Sequence, residues 1–171
     1  MALLLWLACA PKPQVWTAPA VSPGPDAFLT DADFGCFRDW EKVGHSYYTS
    51  VIGDPAAAAQ AARDNTPFPV GTVVQLMPNE AMVKRHVGYS DETGDWEFLK
   101  LQLVKGHAVI TERGTSQVKN LAGGCAECHA ASAESNDWVC SESHGCEVLP
   151  GFILKQAEKA VAKDPRCEQS G

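Results

Sequence analysis

The sequence lacks any apolar run of the roughly 20 residues that a membrane-spanning helix needs, so no such helix is expected. It also lacks a basic stripe: its 14 lysines and arginines are scattered and are outnumbered by 21 acidic residues, for a net charge of −7. Nucleic-acid binding depends on clustered cations that neutralise phosphates, so no nucleic-acid partner is expected. With no internal repeat, 171 residues of which 45% are hydrophobic indicate one domain with its own core.

The first nine residues contain a short apolar run that ends in Ala-Cys, without a basic segment before it. This pattern predicts an export segment over residues 1–9 and resembles a bacterial lipoprotein signal, in which Cys9 would carry the lipid. The alternative is a plain signal peptide that is cleaved slightly later. Residues 10–26 contain five prolines and predict a tether, followed by a folded domain over 27–171. We therefore expect a periplasmic protein that contacts the membrane only through an N-terminal lipid anchor.

The fold class expected from the sequence is α+β, with an antiparallel meander and flanking helices. Asp54-Pro55 followed by alanines predicts a helix start, because aspartate caps helices and proline suits the first helical position. Apolar alternation and short turns predict four strands, and helical spacing predicts two later helices. The predicted strands cover 72–77, 80–87, 96–104 and 108–112, and the helices cover 125–133 and 150–163.

The motif that carries chemistry is Cys125-Ala-Glu-Cys128-His129. Two cysteines at this spacing followed at once by histidine are typical of covalent haem c attachment, with the thiols bound to the porphyrin and His129 as an axial iron ligand. Three alternatives remain open: a zinc site completed by two of Cys140, His144 and Cys146, a redox-active dithiol, and a plain Cys125–Cys128 disulfide. The adjacent histidine favours haem c over all three.

The remaining cysteines are consistent with export to an oxidising compartment. Of seven cysteines, assigning Cys9 to the signal and two to haem leaves four, which allow three pairings. Cys140 and Cys146 flank a short loop, so we favour a bridge between them. That choice pairs Cys36 with Cys167.

The sequence does not identify the sixth ligand of the iron. A protein side chain in that position would make an electron carrier, whereas a vacant position would make a ligand-binding or catalytic site. Candidate sixth ligands are His45, His86, His107, His144, Met77 and Met82. The alternating strand 80–87 places Glu80, Met82 and Lys84 on one face, where Glu80 or Lys84 could transfer protons near the iron; a solvated strand face is the alternative. Trp96 is expected in the core, where it could pack against the porphyrin.

Residues 68–139 resemble the cytochrome P-460 family in an ordered set of short motifs. These are Phe-Pro-Val-Gly71-Thr-Val, Glu80-Ala-Met-Val-Lys84-Arg85, Gly94-Asp-Trp96-Glu-Phe, the haem motif, and Asp137-Trp-Val. The resemblance implies a periplasmic haem c protein with an antiparallel sheet, usually a homodimer, with His129 as proximal ligand and an open distal position. Members oxidise hydroxylamine with a haem cross-linked to lysine, whereas the related cytochromes c-prime-beta lack the cross-link and bind nitric oxide or carbon monoxide.

The sequence departs from the catalytic members on the strand that begins Gly71-Thr-Val. That strand carries no lysine, and Leu76 stands where the cross-linking residue is expected. An apolar Leu76 near the iron would suit a gas-binding pocket. Three functions stay open: redox turnover of hydroxylamine or nitric oxide with a redox partner protein, reversible gas binding, and electron transfer through a six-coordinate haem.

Overall fold

The computed structural model describes residues 25–120, 123–141, 146 and 150–168. These residues form an antiparallel six-stranded sheet with helices packed on it, so the α+β prediction is confirmed. In the described ranges, no helix has both the length and the apolarity needed to cross a membrane. The predicted export segment, Cys9 and most of the predicted tether lie outside the described residues.

The main sheet is a meander in which each strand pairs with its sequence neighbour. Its strands are β1 (Glu41–Val43), β2 (Ser46–Ser50), β3 (Thr72–Gln75), β4 (Glu80–Lys84), β5 (Trp96–Val104) and β6 (His107–Gly114). The four predicted strands correspond to β3–β6. The expectation of four strands was incomplete, because β1 and β2 form a further hairpin at the start of the sheet. A second, two-stranded sheet joins β7 (Lys119–Asn120) to β8 (Gly123–Gly124) directly before the haem motif.

The alternation along β4 places its side chains on two faces of the sheet, as predicted, and each face packs in its own core. Met82 packs in one cluster with Tyr48, Phe98 and Ala126. Ala81 and Val83 pack in the other cluster, on the opposite face of the sheet, together with Leu29 and other residues of the N-terminal segment. The first cluster also contains Ala58 and Ala61 from the helix over 55–64 and Ala126 from the haem motif, so these two segments lie on that face of the sheet.

The N-terminal segment is fixed to its face of the sheet by a buried network of charges. Glu97 is almost fully buried and accepts hydrogen bonds from Arg85 Nη1 (2.5 Å) and Arg113 Nε (2.7 Å). Arg85 also donates to Asp26, and the guanidinium of Arg113 lies 4.1 Å from the ring of Phe28. These contacts are structural, and they lie on the face opposite the haem motif.

Four α-helices lie within the described residues: α1 (Pro55–Asp64), α2 (Cys125–His129), α3 (Ala133–Asn136) and α4 (Gly151–Ala162). Asp54 caps α1 by accepting from the Ala56 amide at 2.9 Å, as the sequence predicts. The predicted haem-bearing helix over 125–133 is too long. It is interrupted after His129 by a 3-10 turn, where Ser132 Oγ donates to the His129 carbonyl at 3.0 Å and competes with regular helix bonding.

Both favoured disulfides are present in the structure. Cys36 pairs with Cys167, which ties the N-terminal segment to the C-terminal end of the described chain, and Cys140 pairs with Cys146. The second bridge lies against the haem motif, because Cys146 Sγ is 3.7 Å from the Cys128 carbonyl oxygen and from Ser132 Oγ.

Candidate functional site

The haem motif occupies one short helix that is anchored to the fold at its first residue. The Cys125 amide donates to the Val118 carbonyl at 3.0 Å, and Ala126 is buried in the core. Cys125 is half-buried and Cys128 is exposed, and neither forms a disulfide, whereas the other described cysteines are paired. Two free thiols are thus presented three residues apart on one side of a helical turn.

The state of these cysteines bears on the alternatives to haem. A plain disulfide between Cys125 and Cys128 is not formed. The zinc alternative loses Cys140 and Cys146, which are bonded to each other, and His144 lies outside the described residues. Within the described ranges, no cluster of three or more His, Cys, Asp or Glu side chains is placed to hold a metal ion.

The redox-active dithiol alternative is disfavoured by the electrostatics at Cys125. Burial, helped by the carboxylates of Glu80 and Glu112, raises the pKa of the Cys125 thiol above its usual value. Redox-active Cys-x-x-Cys pairs have a cysteine whose pKa is lowered, because the thiolate is the nucleophile. The raised pKa therefore argues against an activated thiolate at Cys125.

His129 is oriented by a backbone carbonyl. Its Nδ1 lies 2.7 Å from the Trp138 carbonyl oxygen, and since a carbonyl can only accept, Nδ1 carries the hydrogen. The neutral ring then leaves Nε2 without a proton and able to bind a metal. Burial lowers the pKa of His129 and outweighs the opposing effect of the Trp138 carbonyl, which favours the neutral, ligating form at physiological pH.

Phe98 on β5 completes the immediate surroundings of His129. The two rings meet edge to face with centroids 5.3 Å apart. Phe98 pairs across the sheet with Met82 of β4. Together, the carbonyl on one side and the phenyl ring on another fix the plane of the imidazole.

The residue after α3, Asp137, binds the sheet through an ion pair that the sequence analysis missed. Lys84 Nζ lies 2.6 Å from Asp137 Oδ1 and 2.8 Å from Oδ2, and donates at 2.8 Å to the Gly94 carbonyl. Asp137 also accepts from the Phe68 amide at 2.9 Å, and its own carbonyl accepts from Trp96 Nε1 at 2.8 Å. Asp137 therefore connects three separate segments of the fold next to Trp138.

The close packing of Trp138 requires a glycine at position 94. Gly94 has φ +55°, and a Cβ placed there would lie 2.4 Å from Trp138 Nε1. A side chain at Gly94 would displace the indole. Two of the short motifs noted in the sequence, Gly94-Asp-Trp96 and Asp137-Trp-Val, are thus in direct contact.

The structure brings Glu80 near Cys125. Its carboxylate contributes to the raised pKa of Cys125, and its Oε2 accepts from Asn120 Nδ2 at 3.3 Å. Glu80 pairs across the sheet with Lys100, as Lys84 pairs with Trp96. Glu80 and Lys84 thus share one sheet face but lie at opposite ends of β4, and their proton-transfer role stays a prediction.

The other predicted site residues have different surroundings. Trp96 is fully buried, with its ring edge-on to Phe68 at 5.6 Å. Leu76 follows β3 and lines a small cavity beside α4 with Tyr47 and Leu154. Their predicted places in a haem pocket stay predictions.

Two candidate sixth ligands have partners elsewhere in the fold. His86 Nδ1 lies 3.1 Å from Asp26, and His45 Nδ1 lies 3.7 Å from Glu158. Met82 is buried on the same sheet face as Phe98, the neighbour of His129. The sixth ligand is not determined by these contacts.

The residues present fit covalently bound haem c by the chemistry of their donors. Two unpaired thiols and a neutral imidazole with a free Nε2 are the groups that such a site uses.

No protein-family model matches the chain, and neither a curated protein nor a solved structure with significant similarity to it was found.

Proposed function

We propose that the chain is an exported monohaem c-type cytochrome with an open distal iron position, which binds or transforms small nitrogen species such as hydroxylamine or nitric oxide. Cys125 and Cys128 would hold one haem covalently, and His129 would bind the iron. The bound group would supply a redox-active iron with a site for a small ligand. Carbon monoxide is a further expected ligand.

The observation that carries this proposal is the state of the motif. The thiols of Cys125 and Cys128 are unpaired, although the other four described cysteines form two disulfides. In addition, the Nδ1 proton of His129 is donated to the Trp138 carbonyl. A metal-binding histidine usually donates its second ring N–H to such an acceptor, which fixes the tautomer and raises the basicity of the ligand. Both features suit haem attachment.

The open distal position and the choice of nitrogen species rest on the resemblance to the cytochrome P-460 family. The missing lysine, with Leu76 in its place, favours ligand binding over hydroxylamine oxidation. For turnover, a redox partner protein would accept the electrons. We further propose a homodimer in the periplasm, anchored to the membrane through Cys9.

Spectra of the protein produced with cytochrome c maturation machinery test this proposal. A high-spin ferric spectrum and a ferrous form that binds nitric oxide or carbon monoxide are expected. A low-spin, six-coordinate spectrum that is unaffected by these ligands would contradict the open site and favour the third function, electron transfer.

Turnover separates the two functions that need an open site. Hydroxylamine oxidation in the presence of an electron acceptor would support an enzyme, whereas tight nitric oxide binding without turnover would support a binding protein. A red-shifted ferrous Soret band that survives denaturation would reveal a haem–lysine cross-link and contradict the interpretation of Leu76. Glu80→Gln should slow turnover if this carboxylate transfers protons.

A further inference from the structure

The geometry points to Lys84 and Asp137 as positioning residues for His129: their ion pair holds the turn whose Trp138 carbonyl accepts the His129 Nδ1 hydrogen bond. This inference rests on the proposed function for its consequence, since the hydrogen bond would tune the iron through its ligand. Neither residue needs to touch haem or substrate for this role.

The first step is the conformation of the turn. Asp137 and Trp138 both have left-handed backbones, with φ of 43° and 68°. This conformation costs a non-glycine residue about 1–2 kcal/mol, and a bulky aromatic residue adopts it rarely. Two consecutive residues in this region need contacts that hold them there.

The second step is the set of contacts at Asp137. The carboxylate is held by the Lys84 ammonium at 2.6 and 2.8 Å and by the Phe68 amide at 2.9 Å. The side chains of Lys84 and Asp137 are only 13% and 17% exposed, so the ion pair is weakly screened by solvent. The Asp137 carbonyl is bound separately by Trp96 Nε1.

The third step is the short path from this ion pair to the imidazole. Trp138 directly follows Asp137, and its carbonyl oxygen is 2.7 Å from His129 Nδ1. The Trp138 indole packs on Gly94, whose own carbonyl accepts from Lys84 at 2.8 Å. Lys84 therefore contacts both Asp137, which precedes Trp138, and Gly94, on which the Trp138 indole packs. Loss of the Lys84 ammonium should release the Trp138 carbonyl from His129.

The expected consequence concerns the donor strength of His129. A hydrogen bond from Nδ1 to a carbonyl makes the imidazole a stronger donor, which stabilises ferric iron. Weakening that bond should raise the midpoint potential and lower the iron–histidine stretching frequency. Simple loss of a nearby positive charge acts in the opposite direction on the potential, because it favours the ferric state.

Lys84→Met is the discriminating variant for this reason. At unchanged haem content, we expect a higher midpoint potential and a lower iron–histidine frequency in the resonance Raman spectrum of the ferrous protein. Lys84→Arg, which can keep the ion pair, should remain close to the wild type. Arg63→Met is the matched control, because Arg63 pairs with Glu41 at the surface and its loss removes the same charge.

A lower or unchanged potential in Lys84→Met, with an unchanged stretching frequency, would overturn the inference. If Lys84→Met fails to fold, Asp137→Asn provides the test, because asparagine tolerates the left-handed backbone; its iron–histidine frequency should fall.

A second measurement needs no haem and so separates this inference from the proposed function. Long-range proton–nitrogen NMR of the full chain should find neutral His129 protonated at Nδ1, with that tautomer reduced in Lys84→Met. An equal tautomer population in both proteins would overturn the inference even if haem were never attached. A wild type that attaches no haem, but shows the expected tautomers, would contradict the proposed function alone.

Discussion

Replacing Asp137 by asparagine removes one charge from the ion pair with Lys84 and adds no conformational strain of its own at position 137. Asparagine adopts left-handed conformations readily and retains an oxygen that can accept from the Phe68 amide. What is lost is the pairing of an ammonium that is 13% exposed and has two short contacts to the carboxylate. The variant therefore isolates the ion pair from the rest of the turn.

The magnitude follows from burial. Breaking a fully buried pair by removing one partner costs about 3–5 kcal/mol, and an exposed pair contributes about 0–1 kcal/mol. Because both side chains keep slight exposure, we expect Asp137→Asn to lower the free energy of unfolding by about 2–3 kcal/mol, within the range for hydrogen bonds to charged groups. Adding Lys84→Met should recover part of this loss, because the unpaired ammonium is removed.

The wild type, the two single variants Asp137→Asn and Lys84→Met, and the double variant form a double-mutant cycle. Urea unfolding of these four proteins measures the coupling free energy between the two side chains. Glu112→Gln is the control, because Glu112 pairs with Lys100 at 2.8 Å but both side chains are about 40% exposed. Its loss should cost no more than about 1 kcal/mol. If Asp137→Asn is as mild as this control, or if the double variant shows no coupling, the reasoning is wrong.

Three further predictions concern the sheet and its contacts. Glu97→Gln should destabilise the fold by about 3 kcal/mol in urea unfolding, because Arg113 loses its carboxylate partner and buried Arg85 keeps only Asp26; a loss below about 1 kcal/mol would contradict this. The Arg85 guanidinium holds the pKa of Asp26 well below its usual range, so this ion pair stabilises the fold fully above about pH 4 and progressively less as the pH falls further. Asp26→Asn should therefore reduce the loss of unfolding free energy between pH 4 and lower pH, and an unchanged pH dependence would refute the assignment. Gly94→Ala should shift the fluorescence of Trp138 and lower the melting temperature, since its Cβ has no room beside the indole.

The strands with a clear alternation of apolar and polar residues could be predicted from the sequence. The alternation along β4 correctly placed Met82 and Val83 on opposite faces of the strand, and β5 was predicted with its observed bounds. The hairpin of β1 and β2 was missed because Glu41–Val43 is short and polar and shows no alternation. β2 is defined instead by its pairing with β3, a non-local contact, and β1 pairs only with β2.

In the candidate site, too, the residues that are contiguous in the chain could be predicted, whereas the contacts between distant residues could not. The haem motif is contiguous, so its donors could be named from the sequence, and the spacing of Cys140 and Cys146 indicated their bridge. The ion pair of Lys84 with Asp137 joins residues 53 apart in the chain. Trp138 belongs to a motif noted in the sequence, but the role of its carbonyl in orienting His129 became visible only in the structure. A backbone acceptor is independent of residue type, so this hydrogen bond could not be predicted from the sequence.

The most direct test of the central claim is the intact mass of the full chain after production with cytochrome c maturation machinery and acid denaturation. The account predicts the polypeptide plus one haem that organic extraction does not remove, and weaker attachment when Cys125 or Cys128 is replaced by serine. A bare polypeptide mass, with both thiols still free to react with an alkylating reagent, would contradict it.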